Sequence, residues 1–491
     1  MKTTPTNPFV REISPIRLNV LNDDQIEQIC QAAYWILEHV GCKILHKKAR
    51  RLLAQAGATV KDEQVKLPRY IVEECVRWAP KGFTIFNRSG QPALAAHGRN
   101  VYFGTSTASP NTIDARTGEV HPTGIQDIAR GARIAEALEH IDWVMPFGSA
   151  QDVPGQAADL HEFLATVSNT TKPVAFCGYS GRGVTYVYEM AAEIAGGLDA
   201  LQQRPFVLAY PEPITPLTYP AAVIERMFVA ADLRQPQIPS GSQQPGATSP
   251  ISLAGTLAQA TAESLMSITL VQLKQKGAPV FMACNIGGFN MRNGIMSIVP
   301  PEVSLGLAAQ AEIARSFGLP SWGLAGATDA KLVDAQAGAE SAFSILAQAL
   351  AGLTLIHDVG YADMGMSCSA DMLVLGNELI GCTRRFLRGI RVDASEIGLE
   401  TIGAIGPGGN YLLAEETARR CRSEYWMSDL YTREPYSVWQ QNGATDMRQR
   451  IHTRVLQLLD EHQAPPLPDG TREALEKIKI RGQKALLNNE G

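Results

Sequence analysis

"AESAFSILAQALAGLTLIHDVG", residues 339–360, joins two kinds of element and decides the fold expected for the whole chain. Its first part, 339–352, is an alanine-rich, apolar stretch of helical length that ends at Gly352. Its second part, 353–360, is a short apolar run that favours a strand and ends in His357 and Asp358. A buried strand has no use for an imidazole and a carboxylate, so the tip of this strand is expected to open into a pocket.

The same alternation of short apolar runs and long alanine-rich helices recurs along the chain. Repeated alternation predicts parallel strands joined by crossover helices, and eight strands are the number that closes a (β/α)8 barrel. An open doubly wound sheet is the alternative, although no GxGxxG motif follows a strand. We therefore predict the α/β class and a (β/α)8 TIM barrel with N-terminal and C-terminal helical extensions. The eight runs are 101–106, 141–149, 172–180, 205–213, 236–243, 278–287, 319–326 and 353–360.

The predicted barrel leaves a helical region on either side. Residues 1–95 are expected to be an N-terminal helical region that packs on the barrel, with strands and turns near its end. The barrel is expected to be the catalytic domain and to span 96–370. A C-terminal helical extension is predicted for 371–491 and contains the glycine-rich block GPGGN at 406–410. This block is either a tight turn before a helix or a segment used for substrate closure or for a partner.

Composition limits the classes of function. The chain has 491 residues, 19% of them charged, and a net charge of -5, so nothing indicates a basic surface for nucleic acid. The eight cysteines include no CxxC pair, which argues against a disulfide framework or a zinc knuckle. No apolar run has the roughly 20 residues of a membrane span. A cytoplasmic protein is expected.

The carboxyl ends of the strands are where a barrel of this kind carries its function. The residues there are mainly aromatic, amide and carboxylate, and aromatic faces with one or two acids suit a cation that cannot donate hydrogen bonds. No metal site is expected, although Cys177, Cys284 and His357 form a conceivable zinc set. For His357 a structural role, bonded to Asp358 or to backbone, is the alternative. The predicted substrate-binding residues are Tyr102, Phe103, Thr105, Tyr179, Tyr210, Glu212, Asn285, Asp329, Gln336, His357 and Tyr361.

Several blocks together carry a family resemblance over nearly the whole chain. "GATDAKLVDAQAGAES" (326–341) follows the seventh strand, "LTLIHDVGYADMGMS" follows next, and the "IGPGGNYLL" block begins at residue 405. With "FGTSTASPNTID" (103–114), they resemble the trimethylamine methyltransferase (MttB) superfamily. The founding members carry pyrrolysine, whereas this chain consists of ordinary amino acids, so it resembles the non-pyrrolysine branch, whose members act on quaternary amines.

The resemblance implies a reaction and a partner. A methyl group would pass from a quaternary amine, such as glycine betaine, proline betaine or carnitine, to the cob(I)alamin of a separate corrinoid protein. No cofactor would be tightly bound, and the residues would position the substrate without acting as acid or base. His357, Asn285, Gln336 and Thr105 would bind the carboxylate of a betaine.

Other readings of the resemblance stay open, and a homo-oligomer is expected. One is demethylation of another methylated donor, such as a tertiary amine or a sulfonium, which a pocket without carboxylate donors would favour. Others are a betaine-binding protein without turnover and a zinc-dependent methyltransferase.

Overall fold

The structure, a computed structural model, describes residues 16–488 and is a mixed α/β fold. Its N-terminal part contains three helices, as the sequence predicts, and also three short strands that the sequence pattern did not indicate. Strand β1 pairs with β3 and, in parallel, with β11 from the central region. The elements are α1 (Asp23–Trp35), a π-helical turn (Ile36–Val40), β1 (Cys42–Ile44), α2 (Lys47–Gln55), β2 (Thr59–Lys61), β3 (Gln64–Lys66), α3 (Arg69–Trp78), β4 (Phe83–Phe86) and β5 (Pro92–Ala96).

The central region begins with the predicted alternation. Its first elements are β6 (Tyr102–Thr105), β7 (Asn111–Ile113), β8 (Val120–Pro122), α4 (Ile125–Ala137), α5 (Ala158–Val167), β9 (Val174–Phe176), α6 (Gly181–Ala195), α7 (Leu198–Gln203), β10 (Val207–Ala209), β11 (Thr218–Tyr219) and α8 (Ala221–Asp232). The next are β12 (Gly241–Gln243), α9 (Leu253–Lys274), β13 (Met282–Ile286), β14 (Gly288–Asn290), β15 (Ile295–Ser297), α10 (Pro301–Ser316), β16 (Ser321–Leu324), α11 (Ala335–Ala351), β17 (Leu355–Val359), β18 (Tyr361–Ala362) and β19 (Ser367–Ser369).

The C-terminal region is helical, as predicted. It consists of α12 (Ala370–Leu387), α13 (Ala394–Ile397), α14 (Leu399–Ile405), α15 (Glu415–Glu424), α16 (Tyr436–Gln441), α17 (Met447–Glu461) and α18 (Thr471–Leu487). Helix α17 packs on α12 and α4, and α18 packs on α6, so the chain returns to the central region after residue 446. No helix within residues 16–488 is long and apolar enough to cross a bilayer. The proposed boundaries at residues 95 and 370 stay a prediction.

Parallel pairing connects the central strands in chain order. Strands β12, β13, β16, β17 and β6 form one parallel sheet, and β9 pairs with β10. Single parallel bridges connect the rest: Gly104 with Trp143, Val144 with Val174, and Gln237 with both Ala209 and Val280.

Two of the eight predicted strands are therefore reduced to bridges or a short ladder. The run at 141–149 keeps only its bridges at Trp143 and Val144, and Pro146 follows. The run at 236–243 begins with a bridge at Gln237, between Pro236 and Pro239, before β12. Proline has no N–H to donate to a neighbouring strand, which explains why regular ladders do not extend through these positions.

Side chains on the inner face of these strands form their own apolar cluster. Its large members include Tyr102, Trp143, Tyr210, Phe281 and Trp322. The β4–β5 hairpin packs against this cluster through Ile85, Leu94 and Ala96. The backbone of the same hairpin segment bonds to Pro205 and Thr171, just before β10 and β9, so the hairpin covers the amino ends of the strands. The carboxyl ends remain for a functional site.

Candidate active site

An aromatic stack lies behind the carboxyl ends of the inner strands. The indole of Trp322 on β16 stacks on the imidazole of His357 on β17, with centroids 4.4 Å apart and planes 22° apart. Tyr210, directly after β10, lies 5.1 Å from Trp322 and 6.0 Å from His357 by ring centroids. Because strand side chains alternate between faces, residues from three separate strands meet on the inner face. Trp322 is not among the residues that the sequence predicted for the site.

A hydrogen-bonded chain connects three of the predicted residues. The His357 Nδ1 is bonded to the Asp358 carboxylate, and its Nε2 lies 3.2 Å from Asn285 Oδ1. Asn285 Nδ2 donates to the Tyr210 hydroxyl at 2.7 Å. Both ring nitrogens of His357 therefore have an oxygen partner within the protein. His357, Asn285 and Asp358 are each less than 10% exposed.

Asp358 has an unusual backbone conformation. Its φ is +79°, a left-handed value that costs energy for a residue with a side chain. The carboxylate of Asp358 is bonded to the ring of its own neighbour, His357. The alternative reading of His357, a histidine held by Asp358, therefore matches its contacts.

Glu212 differs from these residues because its side chain is exposed. It lies two residues beyond Tyr210, after the carboxyl end of β10. Because this exposed side chain is also surrounded closely by protein, we call the space in front of it the recess. Removal from bulk water by the surrounding protein raises the pKa of Glu212. The positive charges of Arg226 and His357 and a hydrogen bond with Tyr210 oppose this rise in pKa. A carboxylate that is reachable from solvent and held from behind is suited to bind a cation.

A buried carboxylate fixes the loop that carries Glu212. Glu263 on α9 accepts hydrogen bonds from Leu217 N at 2.9 Å, Gln259 Nε2 at 3.0 Å and Gln243 Nε2 at 2.9 Å. Burial raises the pKa of Glu263 to about 7, and these three bonds oppose the rise. The sequence analysis did not name Glu263. It could have been recognised because it is the only acidic residue of the apolar helix α9.

Tyr179 lies in the loop after β9 and is 40% exposed. Its hydroxyl is 3.2 Å from Glu162 Oε1, and its backbone N donates to Asp159 at 3.1 Å. Burial raises the pKa of Glu162 to about 7 and that of Asp159 to about 6. The two acids are three residues apart on α5, so one face of that helix holds the loop at the end of β9.

Three of the predicted residues, all on β6, make contacts within the protein, and their role in substrate binding stays a prediction. Phe103 faces the helices and packs in the core between strands and helices. Tyr102 is at the amino end of the strand, where its hydroxyl accepts a hydrogen bond from Ala95 N. Thr105 is 1% exposed and bonds through its hydroxyl to the backbone of Met145, which holds neighbouring strand segments together.

Asp329 and Gln336 lie together in a different place. Both line a cavity of about 430 Å³ beside the β14–β15 hairpin. Asp329 accepts bonds from Ser297 Oγ and Ile298 N, and Gln336 donates to Glu340 at 2.8 Å. Tyr361 donates its hydroxyl to the backbone oxygen of Thr107.

The conceivable zinc set is not assembled. Cys284 faces the helices in a core cluster, whereas Cys177 lies on the inner face of the strands, so the two thiols lie on opposite faces of the strand layer. In the part of the chain from residue 16 to residue 488, no three His, Cys, Asp or Glu side chains cluster as metal ligands would.

Comparison with known proteins identifies the family. The sequence profile named trimethylamine methyltransferase (MTTB) matches residues 2–486. The chain belongs to the trimethylamine methyltransferase family. The prediction made from the TDAKLVDAQAG and GPGGN blocks is confirmed, and the chain is a member of a family of methyltransferases.

Curated relatives in this family carry two activities by name. Trimethylamine methyltransferase MttB of Desulfitobacterium hafniense (strain DSM 10664 / DCB-2) is 29% identical over 96% of this chain and 95% of its own length. Glycine betaine methyltransferase of D. hafniense (strain Y51) is 28% identical over 92% of this chain and 94% of its own length. MttB of Methanosarcina thermophila is 30% identical over 93% of this chain and 95% of its own length.

A solved structure supports the fold. The monomethylamine methyltransferase MtmB of Methanosarcina barkeri superposes with a TM-score of 0.53, at 12% identity, over 93% of this chain and 88% of its own. At this identity the likeness concerns the fold alone.

Proposed function

We propose that the protein transfers a methyl group from a quaternary amine, such as glycine betaine, proline betaine or carnitine, to cob(I)alamin of a partner corrinoid protein. The observation that carries this proposal is the exposed carboxylate of Glu212, two residues beyond Tyr210, whose ring lies 5.1 Å from that of Trp322. A fixed negative charge beside aromatic rings attracts a cation that has no N–H to donate. The named activities of the relatives support methylated amines as the substrate class.

The reaction asks for positioning more than for acid–base chemistry. The electron pair of the reduced cobalt forms the new carbon–cobalt bond, while the carbon–nitrogen bond breaks and leaves its electrons on nitrogen. A quaternary ammonium already carries the charge that makes a neutral amine the leaving group. Holding the methyl carbon in line with the acceptor lowers the barrier by several kcal/mol.

The electrostatics of the recess fit a reaction in which nitrogen loses its positive charge. A strongly anionic site would stabilise the substrate more than the transition state and slow the transfer. Arg226 and His357 both act electrostatically on Glu212 and offset part of its charge. We infer that this balance gives a moderate attraction. His357 and Asn285 act as positioning residues for Tyr210, and through it for Glu212.

We further propose that the eight strand segments close into a (β/α)8 barrel. Parallel pairing joins every successive pair of segments, and β17 pairs back to β6. Glu212, Asn285 and His357 would then lie at the carboxyl mouth of the barrel, where barrel enzymes carry their active sites. Exposed apolar residues in the loops after four of these segments would receive the corrinoid protein; they are Ile214, Ile251, Met291 and Leu332.

One observation favours a second candidate, a methylated cation that has no carboxylate. The side chains predicted to bind a substrate carboxylate are all engaged within the protein: His357 and Asn285 bond to each other, Gln336 to Glu340, and Thr105 to the Met145 backbone. A carboxylate-free donor needs none of them.

A methyl-transfer assay tests both candidates. The protein is mixed with reduced cob(I)alamin, and methylcob(III)alamin is followed by absorbance with glycine betaine, proline betaine, carnitine, choline, tetramethylammonium and trimethylamine. Turnover of the betaines but not trimethylamine supports the first candidate. Turnover confined to choline or tetramethylammonium supports the second. Absence of methylcobalamin with every donor, while each donor binds in calorimetry, would identify a binding protein and contradict the proposal.

A further inference from the structure

A positive charge lies near Glu212 without pairing with it. Arg226 on α8 is half-buried, and its charge opposes the raised pKa of Glu212 more than that of His357 does. Among residues 16–488, the guanidinium nevertheless makes no ion pair with a carboxylate. Holding a guanidinium partly out of water without a contacting counter-ion costs free energy. A bound anionic group would supply the contact that the protein does not.

Two backbone oxygens fix the position of this guanidinium. Nη1 of Arg226 donates to Gly178 O, and Nε donates to Ala222 O at 3.3 Å. The N–H groups of Nη2 have no acceptor in the part of the chain that the structure describes. Guanidinium groups carry their donors in a planar fork that fits a carboxylate, and a fork already held in place loses little freedom on binding one.

The anchor of Arg226 and the carboxylate of Glu212 belong to neighbouring strand ends. Strands β9 and β10 pair in parallel, with Phe176 opposite Ala209. Gly178 follows Phe176 by two residues, and Glu212 follows Ala209 by three. Because paired strands lie about 4.8 Å apart, the positive and the negative group are placed side by side at the same edge of the sheet.

The other groups that act on Arg226 do not neutralise it by contact. The Asp159 carboxylate accepts hydrogen bonds from Tyr179 N at 3.1 Å and from Leu160 N at 3.0 Å, so it is engaged with backbone. Burial raises the pKa of the Cys177 thiol, which is therefore uncharged at neutral pH. The counter-ion of Arg226 is left to a ligand.

We infer that Arg226 binds the carboxylate of a zwitterionic substrate whose quaternary ammonium lies at Glu212. This inference rests on the proposed function and deepens it, because it selects betaines over cations without a carboxylate. Opposite charges held apart at one edge of a sheet are complementary to a molecule whose own charges are held apart by covalent bonds. Arg226 thus supplies the carboxylate donor, a role for which the sequence predicted other residues.

The test compares two kinds of ligand on the same protein. Glycine betaine, proline betaine and carnitine carry a carboxylate, whereas choline carries the same kind of ammonium group and none. Calorimetry is expected to show that wild type binds at least one betaine about tenfold or more tightly than choline. In Arg226→Gln the Kd of that betaine should rise about tenfold or more, while the Kd of choline stays equal or falls.

Two further variants sharpen the comparison. Arg226→Lys keeps the charge but loses the planar fork, so its preference for the betaine should be intermediate, and it replaces Arg226→Gln if that variant does not fold. Arg234→Gln removes an exposed arginine just after α8 and should bind both ligands as the wild type does. A loop that is merely disturbed would weaken both ligands alike, and that result would overturn the inference.

Methyl transfer to cob(I)alamin, measured with the same proteins, separates this inference from the proposed function. Wild type that binds and demethylates choline as well as every betaine would leave the methyltransferase standing and overturn the role of Arg226. Betaine binding that depends on Arg226, without formation of methylcob(III)alamin, would support the role of Arg226 and contradict the proposed transfer. Wild type that binds no betaine would overturn the inference directly.

Discussion

Asn285 donates its side-chain amide to the hydroxyl of Tyr210 at 2.7 Å, and its side-chain oxygen lies 3.2 Å from His357 Nε2. Asn285 thus connects His357 to the tyrosine that precedes Glu212 by two residues. The same tyrosine opposes the rise in the pKa of the Glu212 carboxyl group. We therefore expect a change at His357, which is itself buried, to reach Glu212 through Asn285 and Tyr210.

Replacing Glu212 with Gln tests the charge in the recess. Glutamine keeps the size and can still accept the Tyr210 hydrogen bond, but it removes the attraction for a cation. We expect kcat/KM for the preferred methylated amine to fall about tenfold or more, which corresponds to at least about 1.4 kcal/mol, mostly through KM. Glu473→Gln, an exposed acid on α18, is the control and should leave both constants unchanged. Equal activity of Glu212→Gln and wild type would remove Glu212 from the site.

Acidification should weaken substrate binding through the same group. Burial raises the pKa of Glu212, so its proton is taken up at a higher pH than for an ordinary glutamate. As pH falls through that raised pKa, the carboxylate becomes neutral and KM for the cation should rise. Steady-state KM measured as a function of pH should show this titration in the wild type and not in Glu212→Gln. A KM that titrates identically in both proteins would assign the effect to another group.

The buried His357–Asp358 pair should be costly to break from one side. His357→Leu leaves the Asp358 carboxylate buried without its partner, and such unpaired charges cost about 3–5 kcal/mol. We expect a large fall in the thermal unfolding midpoint. Adding Asp358→Asn should recover part of the loss, because the amide is neutral and asparagine tolerates a positive φ. A double variant no more stable than His357→Leu alone would show that packing on Trp322, not the charge, dominates.

Removing Glu263 should release the loop that carries Glu212. Glu263→Ala removes the acceptor of three hydrogen bonds, one of them from Leu217 N, and leaves buried donors without partners. We expect a loss of about 3 kcal/mol in unfolding free energy, together with a higher KM. Glu74→Ala, an exposed acid on α3, is the control and should change neither. Normal stability with an unchanged KM would mean that the loop is held by other contacts.

The sequence predicted the position of the site better than its contacts. Tyr210, Asn285 and His357 were named because each ends an apolar run, and parallel strands bring such ends to one edge. Their mutual bonds could not be predicted, since the bonding partners lie 72 and 75 residues apart. The alternation of faces separates Tyr102 from Phe103: Tyr102 faces the inner apolar cluster and Phe103 faces the helices.

By itself, the sequence determined the family, the alternation of strands and helices and the set of polar strand tips, because periodicity and local motifs are properties of neighbours along the chain. Only the tertiary structure decided that His357 is held by Asp358 and Asn285, that Glu212 is exposed, and that no residue from 384 to 429 is buried. These depend on the register between distant strands and on which face of each element finds a packing partner. Burial and hydrogen bonding are set in three dimensions, where residues far apart in sequence compete for the same space.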